Sequence, residues 1–191
     1  MTIDDVRTIC VVGAGTMGSR IALHCAVQGF KVNQLDSIAE MIEKAKIWHQ
    51  ENINNRVPGS DAEKVLSRIS YMPDMKMAAG ASDFVIEAVP EKLDLKRKIF
   101  GELDKICPSH TILATNSSSI KSSLIAVATR RPDKVLNMHF ALRVESNGLL
   151  EIMGSALTSK ETIEMAMAVG HALEMATIYV KKEVIGFTYN R

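Results

Sequence analysis

Apolar and polar positions along this chain fall into two recurring patterns: short β-branched runs, and longer stretches with helical spacing. Thr8–Val12 (Thr-Ile-Cys-Val-Val) is a run of the buried-strand type, and glycines close it. Residues 17–28 follow with Ile21, Ala22, Cys25 and Ala26 near helical spacing, stopped by Gly29. Lys31–Leu35 alternates as a second strand, and residues 38–52 return to the helical period. Pro58-Gly59 then marks a turn before a short helix begun by Ser60 and Asp61. The second half repeats the rhythm, with strands predicted at Phe84–Glu87, 111–115, 135–138, 149–153 and 177–180. Helices are predicted at 90–106, with Pro at the start, and at 122–128 and 159–175. Strands that alternate with helices need crossover connections. The pattern therefore predicts an α/β fold, doubly wound, with a largely parallel sheet and helices on both faces.

Composition narrows the class without naming a function. A hydrophobic fraction of 47% with 24% charged residues supports a packed core and argues against a disordered chain. Basic and acidic residues nearly balance, 23 against 22, so no global field draws the chain to nucleic acid or to a membrane surface. No apolar run approaches the ~18–20 residues a membrane helix needs. The opening Met-Thr-Ile-Asp-Asp is too acidic for a signal peptide. Cys10, Cys25 and Cys107 are widely spaced and odd in number. They read as reduced thiols of a cytoplasmic protein, with neither a disulfide framework nor a metal site.

The first strand ends in Gly13-Ala14-Gly15-Thr16-Met17-Gly18, a GxGxxG run. Alone that spacing is weak, but here it follows a buried strand and opens a helix. Gly13 permits the tight turn, Gly15 lets the backbone approach a pyrophosphate, and Gly18 allows helix to pack on strand. The helix N-terminus offers unpaired N–H groups and a partial positive charge. Asp36 closes the second strand, where a carboxylate can accept both ribose hydroxyls and repel a 2′-phosphate, favouring NAD over NADP. Together these features predict a Rossmann-type NAD-binding domain.

Polar residues then gather at the ends of later strands, where an open α/β sheet places its ligands. The run 115–119 (Thr-Asn-Ser-Ser-Ser) follows one strand, and one of its serines also suits a helix cap. His139 ends another strand. Glu151 sits inside the apolar Leu-Leu-Glu-Ile-Met run, where an unpaired carboxylate would be expensive. A hairpin would return Glu151 to His139 and make a base with an orienting acid. His24, His49, His110 and His171 lack metal-like spacing and read as surface or helix residues. Trp48 and the methionines read as helix packing. Lys92, Lys96, Arg97 and Lys98, beside Glu91, Asp94 and Glu102, read as a solvated helix face, and of these Lys96 alone has a functional reading.

These residues carry a family resemblance. The loop 13–18, the stretch 85–100 (VIEAVPEKLDLKRKIF), residues 115–119, His139-Phe140 and the closing Gly186-Phe187-Thr188-Tyr189-Asn190-Arg191 resemble the NAD-binding domain of L-3-hydroxyacyl-CoA dehydrogenases. The resemblance spans essentially the whole chain. It implies that Ser118 hydrogen-bonds the substrate oxygen and that His139 takes the hydroxyl proton. Glu151 would orient His139 and stabilise its cation, and Asn190 would help fix substrate and histidine. It also implies dinucleotide contacts from Asp36, Glu91, Lys96, Asn116 and Ser118, beside Gly13, Gly15, Thr16, Met17 and Gly18. The implied activity is oxidation of an L-3-hydroxyacyl-CoA to the 3-ketoacyl-CoA, of the fatty-acid β-oxidation type. The alternatives are the same chemistry on a non-CoA 3-hydroxy acid, or an NAD-binding module without catalysis.

Departures from the family pattern bear on the substrate. After His-Phe the family shows Phe-Asn-Pro, whereas here Leu142 stands for the cofactor-contacting Asn and Arg143 for the Pro. Lys182-Glu183-Val184-Ile185 replaces an Asp-Thr-Pro run. The helical pair between Asp36 and Tyr71, which helps hold CoA in relatives, is short, with Lys44, Lys46 and Arg56 available to phosphates. Relatives continue into an all-helical domain that closes over the substrate and forms a homodimer. The expectation is that residues 1–191 are an NAD-binding domain excised from such a protein, one that binds NAD but turns over substrate poorly.

Overall fold

A computed structural model of the chain describes residues 2–141, Val144 and 148–184. In chain order the elements begin β1 (Thr8–Val12), α1 (Thr16–Val27), β2 (Lys31–Leu35), α2 (Ala39–Asn52), α3 (Gly59–Leu66), β3 (Ile69–Met72) and α4 (Met75–Ala79). They continue as β4 (Phe84–Glu87), α5 (Leu93–Ile106), β5 (Ile112–Thr115) and α6 (Ser122–Ala126). The last are β6 (Val135–Phe140), β7 (Leu149–Gly154), α7 (Lys160–Ala172) and β8 (Ala176–Tyr179).

The strands form one sheet in the order β3-β2-β1-β4-β5-β6-β7-β8. Every pairing is parallel except the antiparallel β6–β7 hairpin. This is the doubly wound Rossmann arrangement. The chain winds outward from β1 to β3, then returns to place β4 on the other side of β1. That reversal opens a crevice beyond the carboxyl ends of β1 and β4, where ligands of such sheets bind.

Alternate strand residues feed two cores. Ile9 and Val11 of β1 join Ile21 of α1, Val65 of α3 and Met165 of α7 on one face. Cys10 and Val12 join Ala78 of α4, Phe100 and Leu103 of α5, and Ile125 of α6 on the other. Strands covered on both sides read as unbroken apolar runs, which is why β1 and β4 stand out in the sequence. Fully burying a side chain of the size of Phe84 or Phe100 contributes about 1.5–3 kcal/mol.

Two elements escape the sequence pattern. β3 is an edge strand with only β2 as neighbour, and of its Ile-Ser-Tyr-Met residues only Ile69 is buried, so no apolar run marks it. The five-residue α4 is too short to show a period and is held by Asp74, whose Oδ1 accepts the Met77 N–H at 2.8 Å. The helix predicted from residue 90 begins instead at Leu93. Pro90 lies in a turn where its carbonyl accepts the Lys92 N–H at 2.7 Å. His24 and His49 lie in helices, as one of their two readings had it, and both are buried. His24 Nε2 lies 2.8 Å from the Leu173 carbonyl. His49 bridges the Tyr71 hydroxyl at 2.7 Å and the Ser19 carbonyl at 2.8 Å.

Candidate active site

The glycine loop shows why each of its positions is glycine. Gly13 has φ +108°, and its N–H donates to the Leu35 carbonyl at 2.7 Å. A Cβ on Gly13 would stand 2.8 Å from the Ala88 carbonyl oxygen, and one on Gly18 2.0 Å from the Gly13 oxygen. A Cβ on Gly15 would meet nothing within 4 Å. Thus two glycines let the backbone pack, and the third faces open space at the start of α1, where no side chain caps the helix. That open, uncapped helix start fits a pyrophosphate.

Asp36 stands at the end of β2 beside this loop. Its Oδ2 accepts the Ala14 N–H at 2.8 Å and its Oδ1 the Ile38 N–H at 3.0 Å, which fixes the carboxylate at the crevice mouth. A cleft lined by Asp36, Ser37, Met75, Val89, Leu95 and Ile99 opens next to it, apolar enough for an adenine ring and with the carboxylate at its rim. Lys44 and Lys46, candidates for phosphate, are paired at 2.7 Å with Glu40 and 2.6 Å with Glu43 on an exposed helix face. Arg56 NH2 lies 2.6 Å from His24 Nδ1.

On the other side of the crevice a second cleft is lined by Met17, Ala88, Val89, Glu91, Lys96, Asn116, Ser118 and Ser119. Five of the residues carried over by the resemblance therefore meet there. Its floor is a polar network that runs from buried Glu87 and Lys96 out to the exposed Glu91 and Ser119. Lys96, 1% exposed, donates to Glu87 Oε1 at 2.7 Å and lies 3.3 Å from Glu91 Oε2. The expected solvated face therefore fails at Lys96, which is drawn inward by two carboxylates, while Lys92 and Lys98 stay exposed and Arg97 is half-buried. Glu91 also accepts from Ser117 Oγ, from Ser119 Oγ at 2.7 Å and from the Ser119 N–H at 3.0 Å. Burial works to raise the Glu91 carboxyl, but these hydrogen bonds and the Lys96 charge outweigh it and bring it down to about 2.

The candidate acid–base residues come from three separate strands, one of them through the loop that follows it. β5 delivers the 115–119 loop. The β6–β7 hairpin places His139 directly opposite Glu151 in the antiparallel register. His139 Nδ1 lies 3.1 Å from Glu151 Oε2, and its Nε2 lies 3.0 Å from Ser118 Oγ. Both members of the pair are buried, His139 at 6% exposure and Glu151 at 1%, so the carboxylate has the partner its burial requires. With Nδ1–H donating to Glu151, Nε2 keeps its lone pair for a proton. Asn116 Oδ1 accepts the Phe140 N–H at 2.9 Å and ties the β5 loop to the end of β6.

Sequence reasoning missed the braces beneath these residues. Glu87, fully buried at the end of β4, accepts from Val89 N at 2.7 Å, from Lys96 and from Thr115 Oγ1 at 2.6 Å. Asn137 accepts the Ser122 N–H at 2.7 Å and donates to the Ser117 and Ile120 carbonyls at 3.3 and 3.0 Å, holding the loop under Ser118. In both cases the available signal was a polar residue inside an apolar strand, the one that singled out Glu151. Asn190 and the substitutions at Leu142 and Arg143 lie outside the described residues. Among the described residues no cluster of His, Cys, Asp and Glu could hold a metal.

Comparison with known proteins agrees with the Rossmann fold and the expected family. Residues 8–184 match the family described as 3-hydroxyacyl-CoA dehydrogenase, NAD binding domain. The chain is 36% identical over 193 residues to a probable 3-hydroxybutyryl-CoA dehydrogenase of Bacillus subtilis, covering 98% of this chain and 66% of that protein. It is 32% identical over 196 residues to the human mitochondrial hydroxyacyl-coenzyme A dehydrogenase, covering 97% and 62%. A diketoreductase structure, described for dual catalysis of dicarbonyl compounds, superposes with a TM-score of 0.92 at 37% identity, covering 97% of this chain and 68% of that one. The chain thus spans about two thirds of the length of these curated relatives.

Proposed function

The chain belongs to the family of 3-hydroxyacyl-CoA dehydrogenase NAD-binding domains, and from that premise we propose that it serves the NAD-dependent oxidation of a 3-hydroxyacyl-CoA to the 3-ketoacyl-CoA. The observation that carries this reading is the chain of contacts from Ser118 through His139 to Glu151, opening beside a cleft that fits the nicotinamide end of NAD. When bound, NAD supplies the acceptor for the hydride.

The protein's own residues handle the proton and the geometry. The backbone at Gly15, Thr16 and Met17 would hold the pyrophosphate, and Asp36 would hold the adenosine ribose. Glu91, Lys96 and Asn116 line the second cleft, where they would face the nicotinamide end. The substrate hydroxyl would approach the 3.0 Å contact of Ser118 Oγ and His139 Nε2 from the cleft side and meet both atoms. Ser118 donates to the substrate oxygen as its proton passes to Nε2. Glu151, hydrogen-bonded at Nδ1, fixes the tautomer and stabilises the imidazolium that forms. A general base of this kind contributes about 10²–10⁴-fold, and orientation of the reactants supplies much of the remainder.

A second reading concerns the substrate. The likeness to a diketoreductase supports the same proton and hydride chemistry on a carbonyl compound without CoA. Turnover measured with 3-hydroxybutyryl-CoA and NAD, against free 3-hydroxybutyrate and against a dicarbonyl with NADH, separates the two. Faster turnover of the CoA ester is the expected result. Preference for the free acid or the dicarbonyl would overturn the CoA reading and keep the His139 chemistry.

A further inference from the structure

Glu87 is a fully buried acid that the proposed proton chemistry does not use. Its two carboxylate oxygens accept from a backbone N–H (Val89), an ammonium (Lys96) and a hydroxyl (Thr115), so every contact it makes is with a donor. The geometry suits an ionised carboxylate. It also bolts together the two loops that build the nicotinamide-side cleft, one leaving β4 at Val89 and one leaving β5 at Thr115. Lys96 is held between Glu87 at 2.7 Å and Glu91 at 3.3 Å, so the cleft floor carries two carboxylates against one ammonium. The Glu91 carboxyl stays ionised far below neutral pH.

We infer that the charge of Glu87, acting with Lys96 and Glu91, leaves a net negative floor that favours the oxidised, cationic nicotinamide over the neutral reduced ring. This rests on the proposed binding of NAD in this cleft. Without Glu87 the Lys96 ammonium answers Glu91 alone and the floor becomes neutral. The electrostatic preference for the cation then disappears. Lys96 is a buried anchor for this field, which explains why it is sequestered while Lys92 and Lys98 on either side reach solvent or the cleft rim.

The test is the ratio of dissociation constants for NAD⁺ and NADH, measured by calorimetry on the wild-type protein and on Glu87→Gln. The isosteric amide can still accept from Lys96. The expected result is a shift of the ratio toward NADH by about tenfold, the size of removing one unit charge from a partly screened site. Equal weakening of both cofactors with an unchanged ratio would mean that Glu87 only braces the loops, and would overturn the inference. If Glu87→Gln fails to fold, Glu91→Gln, on a side chain that is partly exposed, removes the same unit of charge and must move the ratio in the same direction. Failure of the wild-type protein to bind either cofactor would instead remove the NAD reading on which the inference stands.

Discussion

The two ends of the crevice are built by opposite means. The candidate dinucleotide end is one unbroken loop, Gly13 to Gly18, that offers backbone atoms, with Asp36 joined to it from the end of β2. At the candidate acid–base end three side chains from three separate strands, Ser118 (through the loop after β5), His139 and Glu151, meet through a parallel pairing followed by an antiparallel one. The first end depends on the absence of side chains. The second depends on their register. The local motif has no room for a Cβ at Gly13 or Gly18, whereas the dispersed one depends on where its side chains are brought.

Substitutions at the two ends should therefore fail in different ways. The largest expected effect is at the acid–base end: His139→Ala should lower turnover by about 10²–10⁴-fold while leaving NAD affinity nearly unchanged. Steady-state kinetics beside direct titration with NAD would check this, and a mutant as active as wild type would remove the proposed base. Gly18→Ala should do the reverse. Its Cβ would fall 2.0 Å from the Gly13 oxygen, so the loop must shift. The expected loss is of NAD binding, with a stability cost of about 1–3 kcal/mol visible in thermal melts.

A smaller effect is expected at Asp36. Asp36→Ala should weaken the preference for NAD over NADP by roughly tenfold, because a 2′-phosphate no longer meets a carboxylate. Because Asp36 also accepts the Ala14 and Ile38 N–H groups, affinity for both cofactors should fall, so the ratio of the two is the informative quantity.

The smallest expected effect is a pH dependence of the dinucleotide half. Burial pushes the His49 imidazole below its ordinary value of 6.5, against the opposing pull of the Ser19 carbonyl. Below that pH the unfolded chain takes up a proton that the folded chain resists. Stability is therefore full above about pH 6.5 and declines as pH falls toward the depressed folded value. Melting temperatures of wild type and His49→Gln across this range should show a shallower acid decline in the variant. Parallel declines would show that the His49 position carries no such linkage.

How much of this was legible in the sequence follows the same division. The strands buried on both faces, the helices covering them and the glycine loop could be read directly, since each is encoded by neighbouring residues. β3 and α4 could not, because an edge strand with one neighbour and a five-residue helix leave no periodic trace. At the site, Ser118, His139 and Glu151 were singled out by residue type and by resemblance, and Lys96 by resemblance alone. Glu87 and Asn137 were passed over as strand residues, since a lone polar side chain in an apolar run does not reveal what it will meet.

The sequence by itself determined the winding of the fold and the glycine cradle at the start of α1, because backbone conformation and hydrophobic period are local properties. Only the tertiary structure decided that Glu151 faces His139 across the ladder, that Ser118 reaches the same imidazole, and that Lys96 is drawn inward between two carboxylates. Those outcomes depend on strand register and on the cost of burying charge without a partner, and neither is settled until distant parts of the chain have packed together.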